Sequence, residues 1–140
     1  MMTSTFKTIV GYVTPRPFGQ FYMPVPAQNS CLREYAISRG FTYALPQCEH
    51  IFDDCYVQFF GTLNSARANQ AIVIYSSLML PKRSADHLKM VEIIAGKNLI
   101  IHTVLENLII QNEEDFLRLQ EVEKILKVTR NGGVTKIITK

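Results

Sequence analysis

Four short apolar runs of β character, Lys7–Val13, Phe41–Leu45, Ala71–Ser77 and Asn98–Val104, alternate with segments whose apolar residues recur at helical spacing. This alternation constrains the fold more than any other feature of the chain. A strand that passes through a helix to the next strand makes a right-handed crossover, and the two strands pair in parallel. Near-continuous apolar strands suit a sheet covered on both faces. The expectation is an α/β fold: a three-layer, open, mostly parallel sheet of four to five strands with helices on both faces. One domain accounts for the 140 residues, with a core over about 7–127 and a tail or edge strand over 128–140.

The helix ends are marked in the sequence. Pro26 suits a first turn, the stripe Cys31, Leu32, Tyr35, Ala36 and the Arg39 stem follows, and Gly40 is the left-handed stop. Pro46 ends the second strand. Asp53 or Asp54 caps a second helix to about Ala68, with Tyr56, Phe59, Phe60 and Leu63 on its apolar face. Ser84 caps a third, which buries Leu88, Val91, Ile94 and Ala95 and stops at Gly96. Asn112 caps a fourth, where Glu113, Glu114 and Asp115 suit the positive end of the helix dipole and Phe116, Leu119, Val122, Glu123 and Leu126 follow. Beyond Lys127, Asn131-Gly132-Gly133 is a turn signal before the β-type run Val134–Thr139.

In open parallel sheets, ligands bind outside the carboxyl ends of the strands. Tyr12, Thr14 and Arg16 gather there after the first strand, with Arg16 held between Pro15 and Pro17 on a stiff backbone. Arg16 suits bidentate recognition of a phosphate or carboxylate, or else pairs with a local carboxylate such as Glu106. Gln28 and Asn29 lie in the first turn of the first helix, beside N–H groups that favour anions. Ser76 and Ser77 end the central strand. Glu49 and His50 follow the second strand, and Glu106 and Asn107 follow the fourth. Glu49, His50 and Glu106 are candidates for moving a proton, and the remaining polar groups for binding. His102, on a buried strand, reads as a satisfied core histidine.

Charged residues make up 19% of the chain and apolar ones 47%, which excludes disorder over most of it. The net charge of +3 is mild, and the basic residues are dispersed apart from Lys82-Arg83, so no nucleic-acid partner is expected. No apolar run is long enough to cross a membrane and no signal-peptide pattern opens the chain, so a cytoplasmic location is expected. The three cysteines include no CxxC pair, and Cys48-x-His50-x-x-Asp53-x-Cys55 matches no common zinc spacing. No metal is expected. Without a GxGxxG or Walker loop, no cofactor is expected either.

From Lys7 to Leu126 the order of elements, the helix lengths and the Gly11-Tyr12 start resemble the catalytic domain of serine recombinases. That family carries Tyr-x-Arg-x-Ser at the end of its first strand. This chain reads Tyr12-Val13-Thr14-Pro15-Arg16, with no serine in register, and has Met79, Leu80 and Arg83 where the family places further Asp and Arg residues. Strand exchange is therefore not expected. A closer resemblance is to the sporadic carbohydrate cluster proteins, lone resolvase-type domains encoded among enzymes of bacterial surface-polysaccharide synthesis. It rests on Gly11-Tyr12-Val13-Thr14-Pro15-Arg16-Pro17-Phe18-Gly19, Pro24-Val25-Pro26-Ala27-Gln28-Asn29, Tyr75-Ser76-Ser77-Leu78-Met79-Leu80-Pro81 and Leu105-Glu106-Asn107-Leu108.

The resemblance implies a role in surface-carbohydrate biosynthesis. Two forms of that role stay open. One is an isomerase- or lyase-type enzyme acting on an anionic sugar or nucleotide-sugar, and the other is a binding or scaffold protein that uses the Phe18–Met23 loop and the tail as contact surfaces. A homo-oligomer is expected in either case. A nucleic-acid regulator of resolvase ancestry is the third reading.

Overall fold

A computed structural model describes residues 7–18, 21–52, 55–82 and 84–128 of the chain, without the side chains of 84, 122, 123 and 126–128. The expected caps Asp53 and Asp54, the side chain of the expected cap Ser84, the residues Gly19 and Arg83, and the tail with its turn Asn131-Gly132-Gly133 and run Val134–Thr139 fall outside what is described. So do the inward-facing side chains expected at Val122, Glu123 and Leu126.

The elements in order are β1 (Lys7–Val13), α1 (Val25–Ser38), β2 (Phe41–Cys48), α2 (Val57–Ser65), β3 (Ala71–Ile74), a 3-10 turn (Ser77–Met79), α3 (Ser84–Lys97), β4 (Ile100–Thr103), β5 (Leu108–Ile110) and α4 (Glu113–Val128). They build one five-stranded sheet in the order β2-β1-β3-β4-β5. The first four strands are parallel, and β5 returns antiparallel to β4. The fold is the three-layer α/β architecture that the alternation of runs predicts. Because the chain steps from β1 out to β2 and then back across to β3, the order reverses beside β1. That reversal is where such sheets hold their ligands.

The two faces of the sheet follow from the alternation of side chains along each strand. Ile9, Val13, Ala71 and Val73 point to one face and pack on Leu32, Tyr35 and Ala36 of α1. Tyr12, Ile72, Ile74, Ile101 and Ile110 point to the other, where Phe59 and Leu63 of α2, Met90 and Ile94 of α3, and Phe116 and Leu119 of α4 cover them. No helix among the described residues is long and apolar enough to cross a membrane.

α2, at Val57–Ser65, and β3, ending at Ile74, are shorter than expected, and three further departures have a local reason. β2 runs through Pro46 to Cys48, because it is an edge strand and its pairing with β1 shifts register between Val10 and Tyr12. Gly11 lies at that irregularity, where a Cβ would meet the Tyr43 hydroxyl at 2.7 Å and the Pro46 Cβ at 3.0 Å. α3 continues past Gly96 to Lys97, and Asn98, at φ 56°, is the left-handed residue that ends it. The fifth strand is β5, in a segment read as connection. Thr103 and Leu108 bond each other through the Thr103 hydroxyl across the reversal, which Asn107 makes at φ 55°. At α4 the expected cap holds: Asn112 Oδ1 accepts from the Asp115 N–H and Asp115 Oδ2 from the Gln111 N–H.

Candidate functional site

The residues singled out at the strand ends form three hydrogen-bonded clasps. The first ties the end of β1 to α1. Gln28 is fully buried, and its Nε2 donates to the carbonyls of Thr14 and Met23, both at 2.7 Å, while its Oε1 accepts from the Thr14 N–H. Both ends of the intervening loop are thereby fixed to one amide. Thr14 is also buried, and its hydroxyl lies 3.5 Å from the Arg16 N–H. The aromatic loop is tacked down by a two-way backbone pairing of Phe18 with Phe21, and Phe18 meets Tyr75 edge to face.

The second clasp centres on Glu49, which is 3% exposed. Its carboxylate accepts from the Tyr12 hydroxyl at 2.8 Å, the Phe59 N–H at 3.0 Å, the Gln58 N–H at 3.0 Å and the His50 N–H at 3.2 Å. Cys55 Sγ donates to the same carboxylate. Burial pushes this carboxyl up, but the N–H groups of Gln58 and Phe59, with Tyr12 and His50, outweigh burial and hold it below the usual range. Burial and the adjacent Glu49 charge in turn push the Tyr12 hydroxyl up. Gln58 and Phe59 lie in the first turn of α2, so Glu49 supplies from a distance the cap that α2 lacks locally. A carboxylate with this many donors is anchored as an anion and is not poised to take a proton.

The third clasp joins β3 to the β4–β5 reversal. Ser76 donates to Glu106 Oε2 at 2.8 Å, and the Ser77 N–H donates to Oε1 at 3.0 Å. Ser76 also accepts from the Leu78 N–H, which starts the 3-10 turn. Both serines are fully buried.

Arg16 completes the end of the sheet. Its NH1 donates to the carbonyls of His50 and Phe52 at 3.1 and 3.2 Å, and its guanidinium lies 5.0 Å from the centre of the Tyr56 ring. It pairs with backbone oxygens, while Glu106 is engaged by the serines. Asn29 stands apart and accepts from the Tyr43 hydroxyl at 2.7 Å, and burial pushes that hydroxyl up to about 12. Asn107 accepts from Arg39 NH2 at 2.7 Å. The structure therefore brings Tyr12, Glu49, His50 and Arg16 together, and separately Ser76, Ser77 and Glu106. It spends most of their polar atoms on the protein itself. Among the described residues no group of three or more His, Cys, Asp or Glu is placed to hold a metal.

Two charged groups escaped the sequence reading. Lys97, at the end of α3, donates to the carbonyls of Leu63, Asn64 and Ala66 at 2.9, 2.5 and 3.0 Å and so caps the C-terminus of α2. Arg39 lies 4.1 Å over the Tyr35 ring, and the Tyr35 hydroxyl meets His102 Nδ1 at 2.7 Å. Only the core role of His102 was legible. Its contact to Tyr35 spans 67 positions, and no local pattern encodes it.

No family model matches the chain, and no curated protein matches it. Solved structures do. The N-terminal catalytic domain of TP901-1 integrase superposes with a TM-score of 0.59 at 14% identity, covering 89% of this chain and 97% of that one. A resolvase family site-specific recombinase from Streptococcus pneumoniae gives a TM-score of 0.54 at 14% identity, covering 94% and 93%. At this identity the likeness establishes a shared fold, that of resolvase and integrase catalytic domains. It also overturns the carbohydrate reading, in both its enzyme and its scaffold form, together with the anionic sugar or nucleotide-sugar partner. The neighbours are an integrase catalytic domain and a resolvase family site-specific recombinase, which corrects the expectation, drawn from mild net charge and basic residues dispersed along the chain, that nucleic acid is not a partner. Neither a total charge nor dispersal along the sequence says where the cations meet on the folded surface.

Proposed function

We propose that this chain is a nucleic-acid-binding domain on the resolvase fold that binds without cutting. The observation that carries the reading is the use made of the strand ends where such a fold holds its ligand. Tyr12 and Glu49 bond each other, Ser76 and Ser77 are bonded to Glu106, and Thr14 is buried beneath the Gln28 clasp. No serine follows β1 in the register of Arg16. A hydroxyl nucleophile needs a neighbouring base to take its proton and an open approach to phosphorus, and the buried, carboxylate-bonded serines lack the approach. Likeness over nearly the whole of an integrase N-terminal catalytic domain and of a resolvase family recombinase chain supports nucleic acid as the ligand class. Descent from the group of lone resolvase-type domains is proposed alongside, on the residue runs quoted above, and no carbohydrate role comes with it.

Fluorescence anisotropy on a labelled duplex tests the binding. Affinity is expected to fall with salt, by roughly tenfold between 50 and 200 mM for two phosphate contacts. Denaturing gels of the same mixtures should show neither nicked strands nor a protein–DNA adduct. Absence of binding at low salt would refute the ligand class, and a covalent adduct would refute the non-cutting half.

A further inference from the structure

The two faces of the sheet are unequally covered. Among the described residues, α1 alone packs on one face, while α2, α3 and α4 share the other. Five strands about 4.8 Å apart span roughly 19 Å, and packed helices lie about 8–10 Å apart, so one helix covers about half of such a face. α1 rests on β1, β2 and β3, which leaves β4 and β5 as the open half. Ile109 pairs with His102, whose ring meets Tyr35 of α1, so Ile109 points to the α1 face. It is 48% exposed there, while Leu105 beside it is 43% exposed and Ile37 on the flank of α1 is 66% exposed. An open groove of about 640 Å³ runs along this side of α1, lined by Cys31, Glu34, Tyr35, Ile37 and Ser38 of α1 and by Val104. That is room for several side chains, since about 150 Å³ holds one benzene.

We propose that the open half-face is a docking surface for the chain's own segment 129–140, with Val134, Ile137 and Ile138 as its apolar contacts. Three features argue for that occupant. The first is position and reach. α4 packs against β5, the last strand of the sheet, and ends at Val128, so the segment departs on the side of the sheet where the face is open. Twelve residues follow Val128. They extend up to about 40 Å, and crossing from one helix layer to the other takes roughly 20 Å at about 10 Å per layer. The second is handedness. A new strand on the outer side of β5 and parallel to it would make the crossover through α4 left-handed, because α4 shares a face with α3 while β5 runs opposite to β3. Only about 2% of such crossovers are left-handed, which directs the apolar residues of the segment to the open face and not to the sheet edge. The third is charge. The segment carries Arg130, Lys136 and Lys140 and no acidic residue, and Glu34 gives the groove a carboxylate. Arg39, the nearby cation, is turned to the Tyr35 ring and to Asn107. The surface is separate from the strand-end clasps and does not depend on the nucleic-acid reading.

Cys31 lines the groove, so disulfide trapping reads the docking directly. Ile137→Cys in the full chain, treated with oxidised glutathione, should form a disulfide to Cys31 within one chain, seen by peptide mass mapping of the monomer band on a non-reducing gel. Leu117→Cys, at an exposed position of α4, should leave Cys31 unpaired. Glu34→Lys, also at an exposed position, should slow the Ile137→Cys trapping by roughly fivefold at low ionic strength and less in high salt. A disulfide that joins two chains would replace the segment with a second copy as the occupant and overturn the proposal. Equal trapping from positions 117 and 137, or none to Cys31, would overturn the docking itself. Trapping that Glu34→Lys leaves unchanged would overturn the charge pairing.

Discussion

Helices α1 and α2 lie on opposite faces of one sheet and are held by different means. α1 has 14 residues, begins after Pro24 without a side-chain cap, and rests on a buried stripe of Gln28, Leu32, Tyr35 and Ala36. α2 has nine residues, too few to persist in isolation. It meets the Glu49 carboxylate at its N-terminal N–H groups and the Lys97 ammonium at its C-terminal carbonyls. Each charge has the sign that the helix dipole favours. A long helix can depend on its own stripe, whereas a short one takes its ends from elsewhere in the fold.

The difference can be broken at several points. The largest loss is expected for Phe59→Ala in α2, about 3–5 kcal/mol from denaturant melts, because Phe59 is fully buried and contacts Tyr12, Tyr56 and Phe60. A loss under 1 kcal/mol would mean that α2 is not part of the core.

Acid should separate the two sides. Burial, reinforced by Arg39, pushes the His102 imidazole beneath α1 down to about 4 from the usual 6.5. The folded state therefore resists the proton that the unfolded chain accepts, and stability falls as the pH drops from 6.5 to 4, by up to about 3 kcal/mol. Glu49 at α2 has the same sign in a lower window: its stabilisation is present above the ordinary carboxyl value and is lost as the pH falls through its depressed one. His102→Phe should flatten the upper window only. An unchanged profile in that variant would remove His102 from the account.

Lys97→Met should cost about 1.5–3 kcal/mol, the range for hydrogen bonds to a charged group, with the amides of α2 exchanging faster than those of α1. Equal protection in both helices would contradict the two-ended clamp. The smallest effect is expected for Tyr35→Phe, about 1 kcal/mol, since one hydrogen bond to His102 is removed and the ring stays.

Much of the architecture was legible because it is coded locally. Apolar runs gave the four parallel strands, and Gly40 and Asn112 marked helix ends that the structure keeps. β5 was not legible, because three residues after a turn carry no periodicity. The strand-end cluster was legible as a place and not as a chemistry. Tyr12 and Glu49 are 37 positions apart, and Ser76 and Glu106 are 30 apart. Spacing can bring polar residues to one end of a sheet, but it cannot say that they will satisfy one another.

The sheet also ends differently on its two sides. Among the described residues, β5 closes one side with three residues, too short to template another strand. β2 closes the other with eight residues, Phe41–Cys48, none of them charged. Unguarded edges of that kind recruit foreign strands, and proteins usually defend them with lysine or proline. Here the defence falls to Pro46 and the register shift beside Gly11, which leave only Phe41–Ala44 as a regular ladder. A Pro46→Thr change would lengthen that ladder and turn a soluble edge into a seed for aggregation.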